Sequence, residues 1–126
     1  MDTLAALFMT MSVHYGLPPG VLSSICFVES RYNVNAIHYD DGAGNSVGVC
    51  QIKLATARHM GFAGTEQQLM NPRMNIKYAA KYLAYQYKRY GSIERAVIAY
   101  NMGNARGLTT SKYQRKVFKT WRTNEL

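Results

Sequence analysis

The sequence predicts a mainly α-helical single domain of six or seven helices. Its length of 126 residues suits one compact core. Apolar residues recur at helical spacing along most of the chain. One stretch, near residues 36–50, abandons that spacing for Asn, Asp and Gly, and reads as an irregular loop or a short β-hairpin. There is no repeat, low-complexity tract or linker, so residues 1–126 read as one unit.

The elements follow in order. Leu4, Leu7, Phe8 and Met11 make the first dozen or so residues an amphipathic helix. "YGLPPG" breaks it, and Pro18 or Pro19 is suited to start a second helix that runs through "VLSSICFVESRY" to about Arg31. The loop follows from Asn33 to Val49. Helical pattern resumes at "CQIKLATARHMGF" and stops near Gly61. "GTEQQLMNP" reads as a turn or a one-turn helix. "NPRMNIKYAAKYLAYQYKRYG" carries the strongest helical stripe: Met74, Tyr78 and Tyr82 with Ala79 and Leu83, then Tyr85 or Gln86, stopped by Gly91. "SIERAVIAYNMG" has Ser92 as N-cap and Gly103 as stop. "SKYQRKVFKTWR" closes the chain as a basic amphipathic helix.

Hydrophobic content of 48% and charged content of 17% exclude global disorder. The net charge is +8, with basic residues clustered from Arg73 to Arg89 and from Lys112 to Arg122. Such a surface attracts polyanions: nucleic acid, acidic lipid, or an anionic cell envelope. The N-terminal "MDTLAALFMTMSVHYG" is apolar but lacks a basic start and a cleavage site. It is also too short and too polar to span a bilayer, so it reads as a domain helix, with either no export signal of its own or one already removed, and no membrane insertion expected. His14, His38 and His59 have no carboxylate at ligand spacing, so no metal and no cofactor are expected. Cys26 and Cys50 show no zinc-like or redox pairing. Two separate buried thiols are the favoured reading, with a disulfide as the alternative.

Leu22, Ile25, Cys26 and Glu29 follow the i, i+3, i+4, i+7 rule, which places Glu29 on the apolar stripe of the second helix. Burial there disfavours the carboxylate and raises its pKa, the property a general acid needs to protonate a glycosidic oxygen. The plain alternative is an acid snorkelling from a helix end or pairing with Arg31. Two further segments supply company. In "GVCQI", Gly48 permits close backbone approach and Gln51 offers donor and acceptor. "AYNMG" sets Tyr100 and Asn101 beside a glycine-permitted turn. Amides and phenols converging on an acid suit neutral sugars rich in hydroxyl and N-acetyl groups.

In this order, "YGLPPGVLSSI", "ESRYNVNA", "SVGVCQI", "NPRMNIKYAAKYL", "AVIAYNMG" and a late tyrosine in "YQRKV" resemble the soluble lytic transglycosylase family over nearly the whole chain. The resemblance implies a lysozyme-like fold that cleaves the MurNAc–GlcNAc β-1,4 bond of peptidoglycan and leaves a 1,6-anhydroMurNAc end. It implies Glu29 as catalytic acid, then base, with Ser30 beside it. Gln51, Tyr100, Asn101 and Tyr113 match the family's substrate-binding positions. One carboxylate then suffices, unlike the two-carboxylate glycosidase scheme.

The chain departs from the family at Cys50, where most members carry methionine, and at Met102, where a smaller residue is usual. "YDDGAGNSVG" is longer and more acidic than the usual loop and resembles that of goose-type lysozymes, which hydrolyse. Asp41 is thus a candidate secondary acid, Lys53 stands where those lysozymes often carry another acid, and a hydrolytic muramidase is the alternative function. Asp40 and Asp41 also read as turn formers. A nucleic-acid-binding module suits the charge and the interleaved tyrosines, but no such motif is present; an inactive glycan-binding domain is opposed by Glu29. The expected partner is therefore peptidoglycan, acting on the cell wall or periplasm as a monomer. The expected source is a bacteriophage lysis or virion-associated enzyme, or a domain of a larger exported protein.

Overall fold

A computed structural model describes residues 3–40 and 42–124. Over these residues the chain forms seven α-helices and one small antiparallel sheet, as the pattern predicts. Asp41 lies outside the described residues.

Helix α1 (Leu4–His14) starts at Thr3, whose hydroxyl accepts a hydrogen bond from the Ala6 amide. Helix α2 (Val21–Ser30) begins later than Pro18 or Pro19. Both prolines lie in the connecting turn, and Gly20, at φ +91°, is the N-cap. A Cβ at Gly20 would press on the Trp121 indole, which donates to the Pro19 carbonyl (2.8 Å). Gly20 therefore serves both the positive φ of the N-cap and the close approach of Trp121, a contact invisible in a local pattern. At its other end α2 stops abruptly, because Arg31 and Tyr32 both take left-handed conformations (φ 54° and 67°).

The loop region is a three-stranded antiparallel sheet of two-residue strands, β1 (Ile37–His38), β2 (Ser46–Val47) and β3 (Ile52–Lys53), in the order β1-β2-β3. Ile37 pairs with Val47, and Ser46 pairs with Lys53. The expected return to helix at Cys50 is therefore corrected. Residues 48–51 form a turn with Gly48 (φ 81°) and Gln51 (φ 53°) both left-handed, which a continuing helix forbids. Helix α3 (Leu54–His59) starts only after β3.

Helix α4 (Glu66–Leu69) is the expected single turn, closed by a Thr65/Gln68 capping box. Helix α5 (Pro72–Tyr90) has Asn71 as N-cap, Pro72 in its first turn and Gly91 as C-cap. Helix α6 (Ile93–Met102) runs from Ser92 to Gly103, and helix α7 is Lys112–Asn124.

Helix α5 is the spine, packing against α1, α2, α3, α4, α6 and β3. Its stripe resolves in favour of Gln86, which is buried, whereas Tyr85 is exposed. The main core gathers Leu22, Ile25, Ile76, Leu83, Val97 and Val117 from α2, α5, α6 and α7. Burying each such side chain contributes about 1.5–3 kcal/mol. A smaller core of Val47, Ile52, Ala57, Phe62 and Leu69 lies under the sheet.

Cys26 and Cys50 are joined in a disulfide, which corrects the expectation of separate thiols. Cys26 is on the buried face of α2, and the 48–51 turn packs directly on that face. Chain spacing carries no trace of this encounter across 24 residues.

Candidate active site

Ser30 and Cys50 define one wall of a cleft. The Ser30 hydroxyl donates to the Val49 carbonyl (2.6 Å) and accepts from the Asn33 amide (3.1 Å). The Cys50 amide donates to Asn75 Oδ1 (2.8 Å), and the Cys50 carbonyl accepts from the Tyr100 hydroxyl (2.8 Å). With the disulfide to Cys26, the 48–51 turn is thus gripped from α2, α5 and α6. Asn75 Nδ2 also donates to the Val47 and Leu69 carbonyls (both 2.9 Å). A Cβ on Gly48 would collide with the Asn75 amide, so glycine is required there for close approach as well as for its φ.

Glu29, one helical turn beyond Cys26, is half-buried where this wall meets α7. The Tyr113 hydroxyl donates to Glu29 Oε2 at 2.8 Å. Burial raises the Glu29 pKa to about 7, and the Tyr113 hydrogen bond opposes that rise by favouring the charged form. Arg31 does not pair with it: the guanidinium lies over the Phe27 ring, 5.4 Å from its centroid. Burial also pushes the Tyr100 and Tyr113 phenols well above their ordinary value, the charge of Glu29 adding to it. Both therefore remain protonated hydrogen-bond donors at neutral pH.

Two recesses meet at Glu29. An inner one of about 280 Å³ is lined by Glu29, His38, Asp40, Gln51, Tyr82 and Asn101, among others. An outer one of about 570 Å³ is lined by Val28, Glu29, Asn101, Ser111, Lys112, Tyr113 and Lys116. Glu29 and Asn101 belong to both. A larger apolar groove of about 720 Å³ along α1 contains none of these residues.

The sequence candidates thus take different stations. Glu29, Gln51, Tyr100 and Asn101 line the inner recess, and Tyr113 faces Glu29 from α7. Ser30 lines neither recess, and its hydroxyl is committed to backbone groups of the wall. The Tyr100 hydroxyl is likewise committed to Cys50. Gln51 Nε2 donates to the Ala36 and Gly48 carbonyls (3.0 and 2.9 Å), which leaves its Oε1 as the group able to receive a ligand hydrogen. Asn101 is exposed in the cleft. Asp40, half of the acidic pair, lies in the inner recess, and its Oδ1 accepts from the Gly42 and Ala43 amides (3.0 and 3.2 Å). Those two amides hold its carboxyl below the usual range, so it is a turn-forming carboxylate. Among the described residues no group of His, Cys, Asp and Glu is placed to hold a metal ion.

Sequence reading missed Asn75 and His38 as residues of the site, whereas Tyr82 is one of the α5 tyrosines expected to supply cleft aromatics, and it lines the inner recess. Asn75 had a signal: it falls one residue before Ile76 on the most regular helix, where an amide on the buried side needs several partners.

Residues 6–121 match the family model described as the transglycosylase SLT domain. The X polypeptide of Escherichia coli strain K12 is 35% identical over 91 residues, covering 71% of this chain and 54% of that protein. Protein IpgF of Shigella flexneri is 31% identical over 94 residues, covering 72% and 61%. The chain thus spans a little over half the length of these curated relatives. Among solved structures, an inactive mutant of the lytic transglycosylase Slt from Pseudomonas aeruginosa superposes with a TM-score of 0.70 at 23% identity, over 95% of this chain and 21% of that one. The 70-kDa soluble lytic transglycosylase from Escherichia coli gives 0.69 at 24% identity, over 92% and 18%. These likenesses establish the fold. With the family model spanning nearly every described element and the ordered motifs falling around one cleft, the chain belongs to the transglycosylase SLT domain family.

Proposed function

We propose that this protein is a peptidoglycan lytic transglycosylase, acting on the MurNAc–GlcNAc β-1,4 bond with Glu29 as acid and then base. The observation that carries the reading is Glu29 itself: a carboxyl half-buried at the meeting point of two recesses, raised to about 7, and held by Tyr113. Near neutrality it is divided between its two protonation states, as a group that must give and retake one proton requires.

In the proposed reaction Glu29 donates its proton to the glycosidic oxygen as the bond to C1 breaks. The substrate's own N-acetyl oxygen stabilises the electron-poor C1. The resulting Glu29 carboxylate then takes the proton of the MurNAc 6-hydroxyl, whose oxygen closes on C1 to give the 1,6-anhydro end. The proton count closes without a second acid. Tyr113 steadies Glu29 during its charged interval. Asn101 and the Gln51 Oε1 are the cleft's groups for substrate amides and hydroxyls, while Ser30 and Tyr100 hold the wall in place. Residues 1–126 serve as one catalytic domain, working as a monomer in the cell wall. No described helix is long and apolar enough to cross a membrane.

The test is digestion of purified peptidoglycan by wild type and Glu29→Gln, with mass spectrometry of the products. Anhydro ends from wild type and at least a thousandfold loss in the variant are expected. Reducing ends would convert the reading to hydrolysis, and full activity of the variant would sink it.

A further inference from the structure

The two recesses differ in charge. The inner one contains Asp40, His38 and Lys53; the outer one carries Lys112 and Lys116, and its sole acid is Glu29. Lys112 and Lys116 are four residues apart on α7, so their side chains are neighbours on one helix face. Both are exposed, and neither ammonium group has a hydrogen-bond or ion-pair partner among the described residues.

Their position is also unfavourable for folding. No acid occupies the first turn of α7, yet Lys112 opens it and Arg115 and Lys116 follow. A cation in the first turn of a helix faces the positive end of its dipole and is unfavourable there. Neither structural pairing nor helix electrostatics explains a lysine pair here, beside the carboxyl that does the chemistry.

We propose that Lys112 and Lys116 form a carboxylate-binding subsite that selects glycan carrying acidic substituents on the sugar in the outer recess. The inference rests on the glycan-cleaving reading and names the substrate class of that cleft. In peptidoglycan the sugar bearing the lactyl ether supplies such a group in two forms: the carboxylates of an attached peptide, or the lactyl carboxylate once the peptide is removed. A polymer of GlcNAc alone has neither. Two ammonium groups on a flexible stem suit a mobile carboxylate, and their pull weakens as salt rises.

The test uses the non-cleaving Glu29→Gln protein, alone and with Lys112→Gln/Lys116→Gln added, in calorimetric titrations at low salt. Three soluble ligands are compared: peptide-bearing glycan fragments, the same fragments after amidase treatment, and GlcNAc oligomers. A second pair, Lys77→Gln/Lys81→Gln, removes the same charge from α5 outside both recesses. The Lys112/Lys116 pair is expected to weaken binding about tenfold for carboxylate-bearing ligands and less than twofold for GlcNAc oligomers, with the Lys77/Lys81 pair near wild type. Loss confined to the untreated fragments assigns the subsite to the peptide, loss confined to the amidase-treated fragments assigns it to the lactyl carboxylate, and loss on both shows that it takes a carboxylate from either source. Equal weakening of all three ligands, no weakening, or the same loss from the Lys77/Lys81 pair would overturn the subsite. If the unsubstituted wild-type protein cleaves no glycan at all, the failure lies with the parent reading.

Discussion

Glu29 links the protein's stability to pH. Its folded-state pKa of about 7 lies above the unfolded value of 4.5, so the folded state holds the proton more tightly. The neutral acid's contribution is fully present below pH 4.5 and is lost as pH rises through 7. Replacing Glu29 by Gln removes the charge that must be buried at high pH. The variant should therefore match wild type near pH 4.5 and exceed it by about 1–3 kcal/mol at pH 8, measured by urea unfolding at both values. Tyr113 acts on the same titration from the other side. Tyr113→Phe removes the hydrogen bond that favours the carboxylate, so the Glu29 pKa should climb further. The alkaline limb of the pH–rate profile should move to higher pH while kcat falls about tenfold. An unmoved limb would mean that Tyr113 only packs.

At the scale of elements, the 48–51 turn shows what local sequence can and cannot announce. Its left-handed glycine and its amide were visible in "GVCQI", and the stripe from Leu22 to Glu29 placed the acid correctly on the buried side of α2. Helices α5 and α6 were legible because capping residues and glycine stops mark their ends. The start of α2 and the strand at Ile52–Lys53 were not, since each involves a partner elsewhere in the chain: Trp121 for Gly20, Ser46 and Val47 for the strand. The disulfide belongs with these. A bridge across 24 residues is worth about 3 kcal/mol through the unfolded chain. Reduction, or Cys26→Ser/Cys50→Ser, should lower stability by about that amount, read as a shift in the urea midpoint. The Ser30, Asn75 and Tyr100 hydrogen bonds should keep the turn seated in the protein that remains folded, so activity at low temperature should largely survive.

For the molecule as a whole, Glu29 and Asn101 lie on the shared border of two recesses, and under the proposed activity this border is where a polymer would be cut. From Glu29 the inner recess extends toward the sheet and Gln51, and the outer one toward Ser111, Lys112 and Lys116 of the α7 end. A strand laid across both recesses would, on that reading, need no free terminus to reach Glu29. Under the proposed activity the earliest bonds broken in long strands should be interior ones. Size-exclusion chromatography of a digest stopped in its first minutes should show mean strand length collapsing while fragments remain of mixed size. Steady release of one short fragment from otherwise full-length strands would mean that one end of the cleft is closed. Under the proposed activity, interior cutting would make this a cutter of the mesh, able to open a hole in a wall whose strands offer few ends to begin from.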